Sequence, residues 1–193
     1  PLFSKFQCMV FPGFIGATKE GEPATLGRNG SDYTASILGS AINAIEIHIW
    51  SDVDGILTAD PTIIPYAKPL KSMTFDEACE LAYFGAHVLH PAAIQPALEK
   101  GIQVRVLNSS KPNESGTLIV SSNGEDDSDR AVKSIAYKEG ITLLTVESSQ
   151  LLLSPKIIEE IFLILSHHGK RVYAVSKTAT KLSITIESMH DLP

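Results

Sequence analysis

Apolar side chains return along this chain in two periods, and each change of period marks an element. From Thr34 onward Ile37, Leu38, Ala41 and Ile42 recur every three or four positions, which predicts an amphipathic helix with Ser31 as its N-cap. Ile45, Ile47 and Ile49 then alternate with Glu46, His48 and Trp50, the pattern of a half-buried strand, or of a central one if Trp50 is covered too. Thr74-Phe75-Asp76-Glu77 spells a capping box, opening a helix to about Phe84 with Ala78, Leu81 and Ala82 on its apolar face and Gly85 as its stop. Pro91 is placed to start a further short helix as its first residue, which Pro96 would break or kink unless it lies near an end. Lys100-Gly101 closes that helix, and Ile102, Val104 and Val106 alternate as another strand.

Ahead of the first helix, residues 7–16 read as an extended piece ending in a glycine turn, and Ala17–Pro23 as a loop or hairpin tip. The order loop, helix, strand predicts an α/β unit whose ligand groups gather at the carboxyl ends of strands. Ser121–Arg130 is polar, acidic and without a large apolar residue, which marks a linker. Beyond it the pattern becomes β-α-β-β. Val132–Lys138 and Ile141–Glu147 are β-rich, Ser154-Pro155 opens a helix ended by Gly169, and Arg171–Ser176 and Lys181–Glu187 read as strands. Ile157, Ile158, Ile161, Phe162 and Leu165 make that helix apolar over a broad arc, which implies burial against a sheet and against a second subunit.

The 193 residues suffice for one large domain or two small ones, and 44% hydrophobic with 20% charged residues is ordinary for a folded protein. A net charge of −6 without a basic block argues against nucleic acid or an anionic membrane as the main partner. No apolar run is long enough to cross a bilayer, and no secretory signal pattern occurs. The two cysteines, Cys8 and Cys79, are isolated, which suits a reducing compartment. The expectation is a cytoplasmic protein, and the opening at Pro1 reads as that of a fragment.

Candidate chemistry concentrates in two loops. In Thr25–Asp32 the glycines Gly27 and Gly30 let backbone approach a ligand, and Asn29 tolerates the left-handed region. The helix that follows aims its free amides at whatever the loop holds, and Arg28 adds a planar fork suited to a carboxylate or phosphate. The segment reads as an anion site. Ser51–Pro61 follows a strand and carries Asp52, Asp54 and Asp60, which do not match the calcium-loop template. For Asp52 and Asp54 the alternative is turn hydrogen bonds to nearby amides. His87 and His90 sit three apart, but Pro91 interrupts helical geometry and no acidic partner is spaced with them, so they are read as hydrogen-bonding or ligand-contact groups and no metal is assigned.

Three motifs now stand in order: Thr-Leu-Gly-Arg-Asn-Gly-Ser-Asp-Tyr-Thr-Ala, Trp-Ser-Asp-Val-Asp-Gly-Ile-Leu-Thr-Ala-Asp-Pro and Glu-Leu-Ala-Tyr-Phe-Gly-Ala-His-Val-Leu-His-Pro. Together they closely resemble the aspartate kinases of the amino-acid-kinase superfamily, over roughly Phe14–Ile119, and the tail resembles the first ACT regulatory domain of those enzymes. The resemblance implies an α/β fold with part of the three-layer amino-acid-kinase sheet in residues 1–122, and an α+β ferredoxin-like ACT domain in 130–193. It implies transfer of the γ-phosphate of ATP, with Mg²⁺ carried on the phosphates, to the side-chain carboxylate of L-aspartate. By the same analogy Arg28, with Asn29, Gly30 and Ser31, would bind aspartate, and Asp32 would position a catalytic lysine. Ser51, Asp52, Leu57, Asp60, His87 and Val88 would bind the nucleotide. Leu151, Ser154, Ile157, Ile158 and Tyr173 would meet a lysine or threonine effector, and the ACT domains would pair two chains.

This chain departs from the family pattern at four places. Asn29 stands where the family has a glycine, Thr62 and His87 stand where many members have arginine and lysine, and Tyr173 stands where an aspartate is common. The family's Lys-Phe-Gly-Gly-Thr-Ser motif, which supplies the catalytic lysine, does not occur, so this polypeptide alone is expected to be inactive. Two other readings stay open at this point: a sister kinase acting on glutamate, acetylglutamate or a nucleotide, and a non-catalytic regulatory module that binds an amino acid and pairs through Ile141–Glu187.

Overall fold

The computed structural model describes residues 6–85, 89–121, 132–148 and 155–188, in two compact units, Pro1–Tyr137 and Lys138–Pro193. In the first, β1 (Ile15–Ala17) and β2 (Pro23–Thr25) pair antiparallel as the expected hairpin, whose tip is closed by Thr18 N–H donating to Glu22 O at 2.9 Å. Then come α1 (Gly30–Ile42), β3 (Glu46–Ser51), β4 (Ser72–Thr74), α2 (Phe75–Tyr83), α3 (Pro91–Glu99), β5 (Gln103–Asn108) and β6 (Thr117–Val120). The four-stranded sheet has the order β3-β5-β6-β4; β3 and β5 are parallel, β5 and β6 antiparallel, β4 and β6 parallel. Val104, Val106 and Ile119 of the sheet and Ile94 and Ala97 of α3 are fully buried, and with Ile47, Ile49 and Met73 they form the core.

The helix ends follow local rules. Thr74 Oγ1 accepts from Glu77 N–H at 3.2 Å and Glu77 Oε2 accepts from Thr74 N–H at 2.8 Å, so the capping box of α2 is complete. Gly101 ends α3, with Ile102 N–H reaching Ala97 O and Gly101 N–H reaching Leu98 O, a Schellman motif. Pro96 does not break α3, although it lies inside it; its own carbonyl accepts from Ser40 Oγ at 2.6 Å, which ties α3 to α1.

Helix α1 corrects the periodicity. Its buried residues are Gly30, Ser36 and Gly39, whereas Ile37 and Ile42 are 41% and 44% exposed. The reason is Ile47: a Cβ at Gly39 would lie 2.4 Å from Ile47 Cδ1, so the strand's isoleucine rests directly on helix backbone. Ser31 is the second helical residue and Asn29 is the N-cap. Ile45 lies ahead of β3 and is 96% exposed, and Trp50 is half-exposed, so β3 is half-buried rather than covered on both faces. Asn43, in the left-handed region, turns the chain from α1 straight into β3. The helix therefore packs on the strand that follows it, with Gly39 against Ile47.

Residues 132–139 form no strand; Ser134 Oγ and Ile135 N–H donate instead to Leu57 O and Thr58 O. In the second unit β7 (Ile141–Glu147), α4 (Pro155–His167), β8 (Val172–Lys177) and β9 (Lys181–Glu187) give an antiparallel sheet ordered β7-β9-β8. Leu165 of α4 packs on Leu182, Ile184 and Ile186, joined by half-buried Ile157, Ile158, Ile161 and Phe162. Leu163 and Ile164, on the rest of the apolar arc, stay more than half exposed.

Acid sensitivity follows from the carboxylates. Arg105 Nε and Nη2 donate to the two oxygens of Glu46 at 2.6 and 3.3 Å, and this guanidinium holds the Glu46 carboxyl below its ordinary 4.5. Lys111 and Asn108 lower Asp54 likewise, and at Glu77 burial pushes upward but Lys133 and the Thr74 amide outweigh it. These groups release protons more readily folded than unfolded, so the unfolded chain binds more protons below the ordinary range. The thermal midpoint is expected to hold from pH 7 down to about 5 and to fall as pH drops through the folded values, with a shallower fall for Glu46→Gln. Melting curves across that range decide it; an unchanged slope in the variant removes Glu46 from the account.

Candidate functional site

Arg28 stands at the tip of a loop held by its neighbours. Gly27 and Asn29, with φ of 78° and 55°, bracket it in the left-handed region, and Gly30 N–H closes back on Gly27 O at 3.1 Å. Asparagine is the side-chain-bearing residue best suited to that backbone, and here Asn29 Nδ2 also donates to Asp32 Oδ2 at 3.2 Å. The exchange of glycine for Asn29 therefore keeps the loop. Gly30 has no such latitude, because a Cβ there would lie 2.8 Å from Phe14 Cδ2 and 3.0 Å from Leu26 Cβ. Thr34 Oγ1 fixes the helix start to the hairpin, donating to Gly30 O at 2.8 Å and accepting from Phe14 N–H at 3.1 Å. Ser31 Oγ lies 3.5 Å from Asp32 Oδ1, so Asp32 sits in the first helical turn with two side-chain donors turned to it.

The Arg28 side chain is exposed and makes no hydrogen bond or ion pair among the described residues. It borders a cleft of about 540 Å³ whose walls include Tyr33 of α1, His90 just ahead of α3, and Gln95 and Glu99 of α3. Glu99 Oε1 accepts from Gln95 Nε2 at 3.0 Å. The cleft thus offers a free guanidinium and a carboxylate, the two signs that a zwitterion needs.

At the carboxyl end of β3, Ser51 O accepts from Ser109 N–H at 2.8 Å and Oγ at 2.9 Å. The turn-bond reading of Asp52 and Asp54 does not hold. The Asp54 carboxylate takes Asn108 Nδ2, at the end of β5, at 2.6 Å and Lys111 Nζ, just beyond it, at 2.7 Å, and Asp52 Oδ1 accepts from Ser51 Oγ at 3.1 Å. It is Asp60 that makes the local turn, accepting from Thr62 N–H at 2.8 Å and Thr62 Oγ1 at 2.6 Å. Leu57 and Asp60 line a separate cavity of about 170 Å³ with Pro61, Leu81, Ile135 and Tyr137, and Ser51 and Asp52 are not on its wall.

Of the remaining residues singled out in the sequence, His87, Val88, Leu151 and Ser154 lie outside the described residues. Ile157 and Ile158 pack into the core of the second unit, and Tyr173 is buried there with the Lys138 ammonium 4.6 Å from its ring centroid. Among the described residues no cluster of three metal-ligating side chains occurs, and no helix is long and apolar enough to cross a membrane. Tyr33 lies within the first motif but carries no role there, and Glu99 and Thr117 lie outside all three. Thr117 is fully buried: its Oγ1 accepts from Ile56 N–H at 2.8 Å and donates to Leu70 O at 2.7 Å, holding the loop that leads to Leu57. A polar residue heading the apolar run Thr117-Leu118-Ile119-Val120 was the available signal.

Comparison with known proteins gives a consistent picture. The chain is 42% identical over 179 residues to Aspartokinase 1, chloroplastic, of Arabidopsis thaliana, covering 92% of this chain and 31% of that one. The structure of Clostridium acetobutylicum aspartate kinase superposes with a TM-score of 0.85 at 34% identity, covering 92% of this chain and 41% of that one. Aspartokinase III of E. coli, in complex with lysine and aspartate, superposes with a TM-score of 0.76 at 39% identity over 91% of this chain and 39% of that one. The same enzyme with aspartate and ADP gives 0.73 at 37% identity, over 93% and 41%. The chain therefore spans between 31% and 41% of the length of these relatives. The model of the Amino acid kinase family matches residues 2–108, more than half of the sequence, and the chain belongs to that family.

Proposed function

We propose that this chain is the part of an aspartate kinase that grips the substrate carboxylate and borders the nucleotide. The reaction is attack of a side-chain carboxylate oxygen of L-aspartate on the γ-phosphorus of ATP, with ADP leaving and 4-phospho-L-aspartate formed. The observation that carries this reading is the free Arg28 guanidinium, on a rigid loop at a helix N-terminus, beside a cleft large enough for an amino acid. Arg28 binds a carboxylate of aspartate, Gly30 keeps the loop closed with its amide on Gly27 O, the amides of Asn29 and Ser31 add donors, and Asp32 orients a lysine. Ser51, Asp52, Leu57 and Asp60, with His87 and Val88, border the nucleotide. Mg²⁺, held on the phosphates, would neutralise charge as it develops on the transferred group. Aligning two anions is most of what such a transfer requires.

The second unit we read as an ACT domain, on its order β7-α4-β8-β9 and its single helix packed on one sheet face. It would bind an amino-acid effector, lysine or threonine, near Leu151, Ser154, Ile157, Ile158 and Tyr173, and pair with a second copy. The E. coli relative crystallised with lysine supports lysine as the first compound to try. A second reading, a non-catalytic amino-acid-binding module, is favoured by the β7-α4-β8-β9 unit with its one helix packed on a sheet face.

Calorimetry of the 193-residue chain separates the two. Heat with L-aspartate and with MgADP is expected, together with no aspartate-dependent hydroxamate on adding ATP. Heat with lysine or threonine alone favours the module; aspartate-dependent product overturns the expectation of inactivity.

A further inference from the structure

We propose that Val132–Tyr137 is a detachable clamp that positions the Leu57–Asp60 loop for nucleotide, with Lys133 as its latch. Two successive carbonyls of the loop are taken by this segment: Ser134 Oγ donates to Leu57 O at 2.7 Å, and Ile135 N–H donates to Thr58 O at 3.0 Å. One residue earlier, Lys133 Nζ sits 2.8 Å from Glu77 Oε1 and 3.1 Å from Glu77 Oε2. Glu77 is the closing residue of the α2 capping box, so the latch is anchored on a helix start rather than on a loose side chain. On its other side the loop is held by Thr58 N–H to Lys68 O at 2.9 Å, Lys68 N–H to Thr58 Oγ1 at 3.0 Å and a single bridge between Leu57 and Pro69. The clamp completes the enclosure, because Ile135 and Tyr137 form the cavity wall shared with Leu57 and Asp60.

What makes the clamp detachable is how little apolar surface it buries. Val132, Ile135 and Tyr137 are 64%, 66% and 56% exposed. Its contacts with the loop and with Glu77 include two hydrogen bonds and a partly exposed ion pair, and with so little apolar burial it belongs among the segments that open well before the core does. Lys133 and Ser134 are positioning residues; they act on nucleotide through the backbone of Leu57 and Thr58. The assignment of nucleotide to that loop rests on the function proposed above, whereas the mechanical link does not.

The test compares the 193-residue chain with Lys133→Met and Lys133→Arg. Hydrogen exchange is read on peptides covering 55–64 and 132–137, and MgADP and L-aspartate affinities are read by fluorescence of Trp50, the single tryptophan, and by calorimetry. Lys133→Met is expected to speed exchange in both peptides and to weaken MgADP about tenfold, with aspartate affinity within about twofold and Lys133→Arg close to the parent. Should Lys133→Met fail to fold, Ser134→Ala, which deletes only the bond to Leu57, is read in the same way. Faster exchange confined to 132–137, with 55–64 unchanged, overturns the clamp. Faster exchange in both peptides in a chain that never binds MgADP upholds the clamp and removes the nucleotide assignment.

Discussion

Arg28→Ala is expected to weaken L-aspartate binding about a hundredfold while leaving the thermal midpoint where it was, since hydrogen bonds from a charged fork contribute about 1.5–3 kcal/mol. The combination is the informative part. Arg28 has no partner among the described residues, so its removal costs the fold nothing, whereas the surrounding loop is held by Gly27, Asn29 and Gly30 and stays in place. Arg28→Lys is expected to recover only part of the loss, because an ammonium cannot present two parallel donors to a carboxylate. Calorimetry with L-aspartate, beside a melting curve for each variant, reads both quantities. Unchanged aspartate heat in Arg28→Ala ends the case for this loop as the substrate clamp. A lowered midpoint would mean that the guanidinium is structural after all.

How far the fold could be read in advance depended on whether the deciding interaction was local. The capping box of Thr74 and Glu77, the C′ glycines Gly101 and Gly169 and the alternation of Lys181–Glu187 are each complete within a few residues, and each appears as written. The buried face of α1 was not legible, because Gly39 earns its place from Ile47 beyond the next turn, and no isoleucine count on the helix can register that. β4 and β6 are three and four residues long and pair with each other across the intervening helices α2 and α3, so neither carries a period long enough to recognise. Val132–Lys138 has the composition of a strand, yet its Ser134 hydroxyl and Ile135 amide bond to a loop and not to a neighbouring strand.

The candidate site divides along the same line. Arg28 and its bracketing left-handed residues could be named from the sequence, since the loop's chemistry is contained in the loop. Which aspartate does what could not, because Asp54 is claimed by Asn108 at the end of β5 and Lys111 just beyond it, while Asp60 makes the turn with Thr62. Asn43, in the left-handed region, closes α1 and turns the chain directly into β3.

Thr117→Val carries the largest stability effect we expect, a loss of about 2–4 kcal/mol, or roughly ten degrees in the midpoint of the first unit. Valine fills the same volume, so no cavity opens, and the whole effect comes from hydrogen bonding. In the parent, Thr117 Oγ1 accepts from Ile56 N–H at 2.8 Å and donates to Leu70 O at 2.7 Å, in a position with no exposure at all. The variant leaves one buried amide without its acceptor, and one buried carbonyl loses a donor, each at about 1–3 kcal/mol before relaxation. Thr117→Ser keeps the hydroxyl and gives up a methyl group, so it should lose only about 1 kcal/mol. Because Ile56 leads directly into Leu57, the valine variant should also quicken hydrogen exchange across 55–64 at temperatures where the sheet is intact. Denaturant melts of the three chains, with exchange measured on the same samples, bring this to a decision. Equal midpoints for valine and threonine would mean that Ile56 and Leu70 find other partners, and Thr117 would no longer count as the tie between the core and the loop.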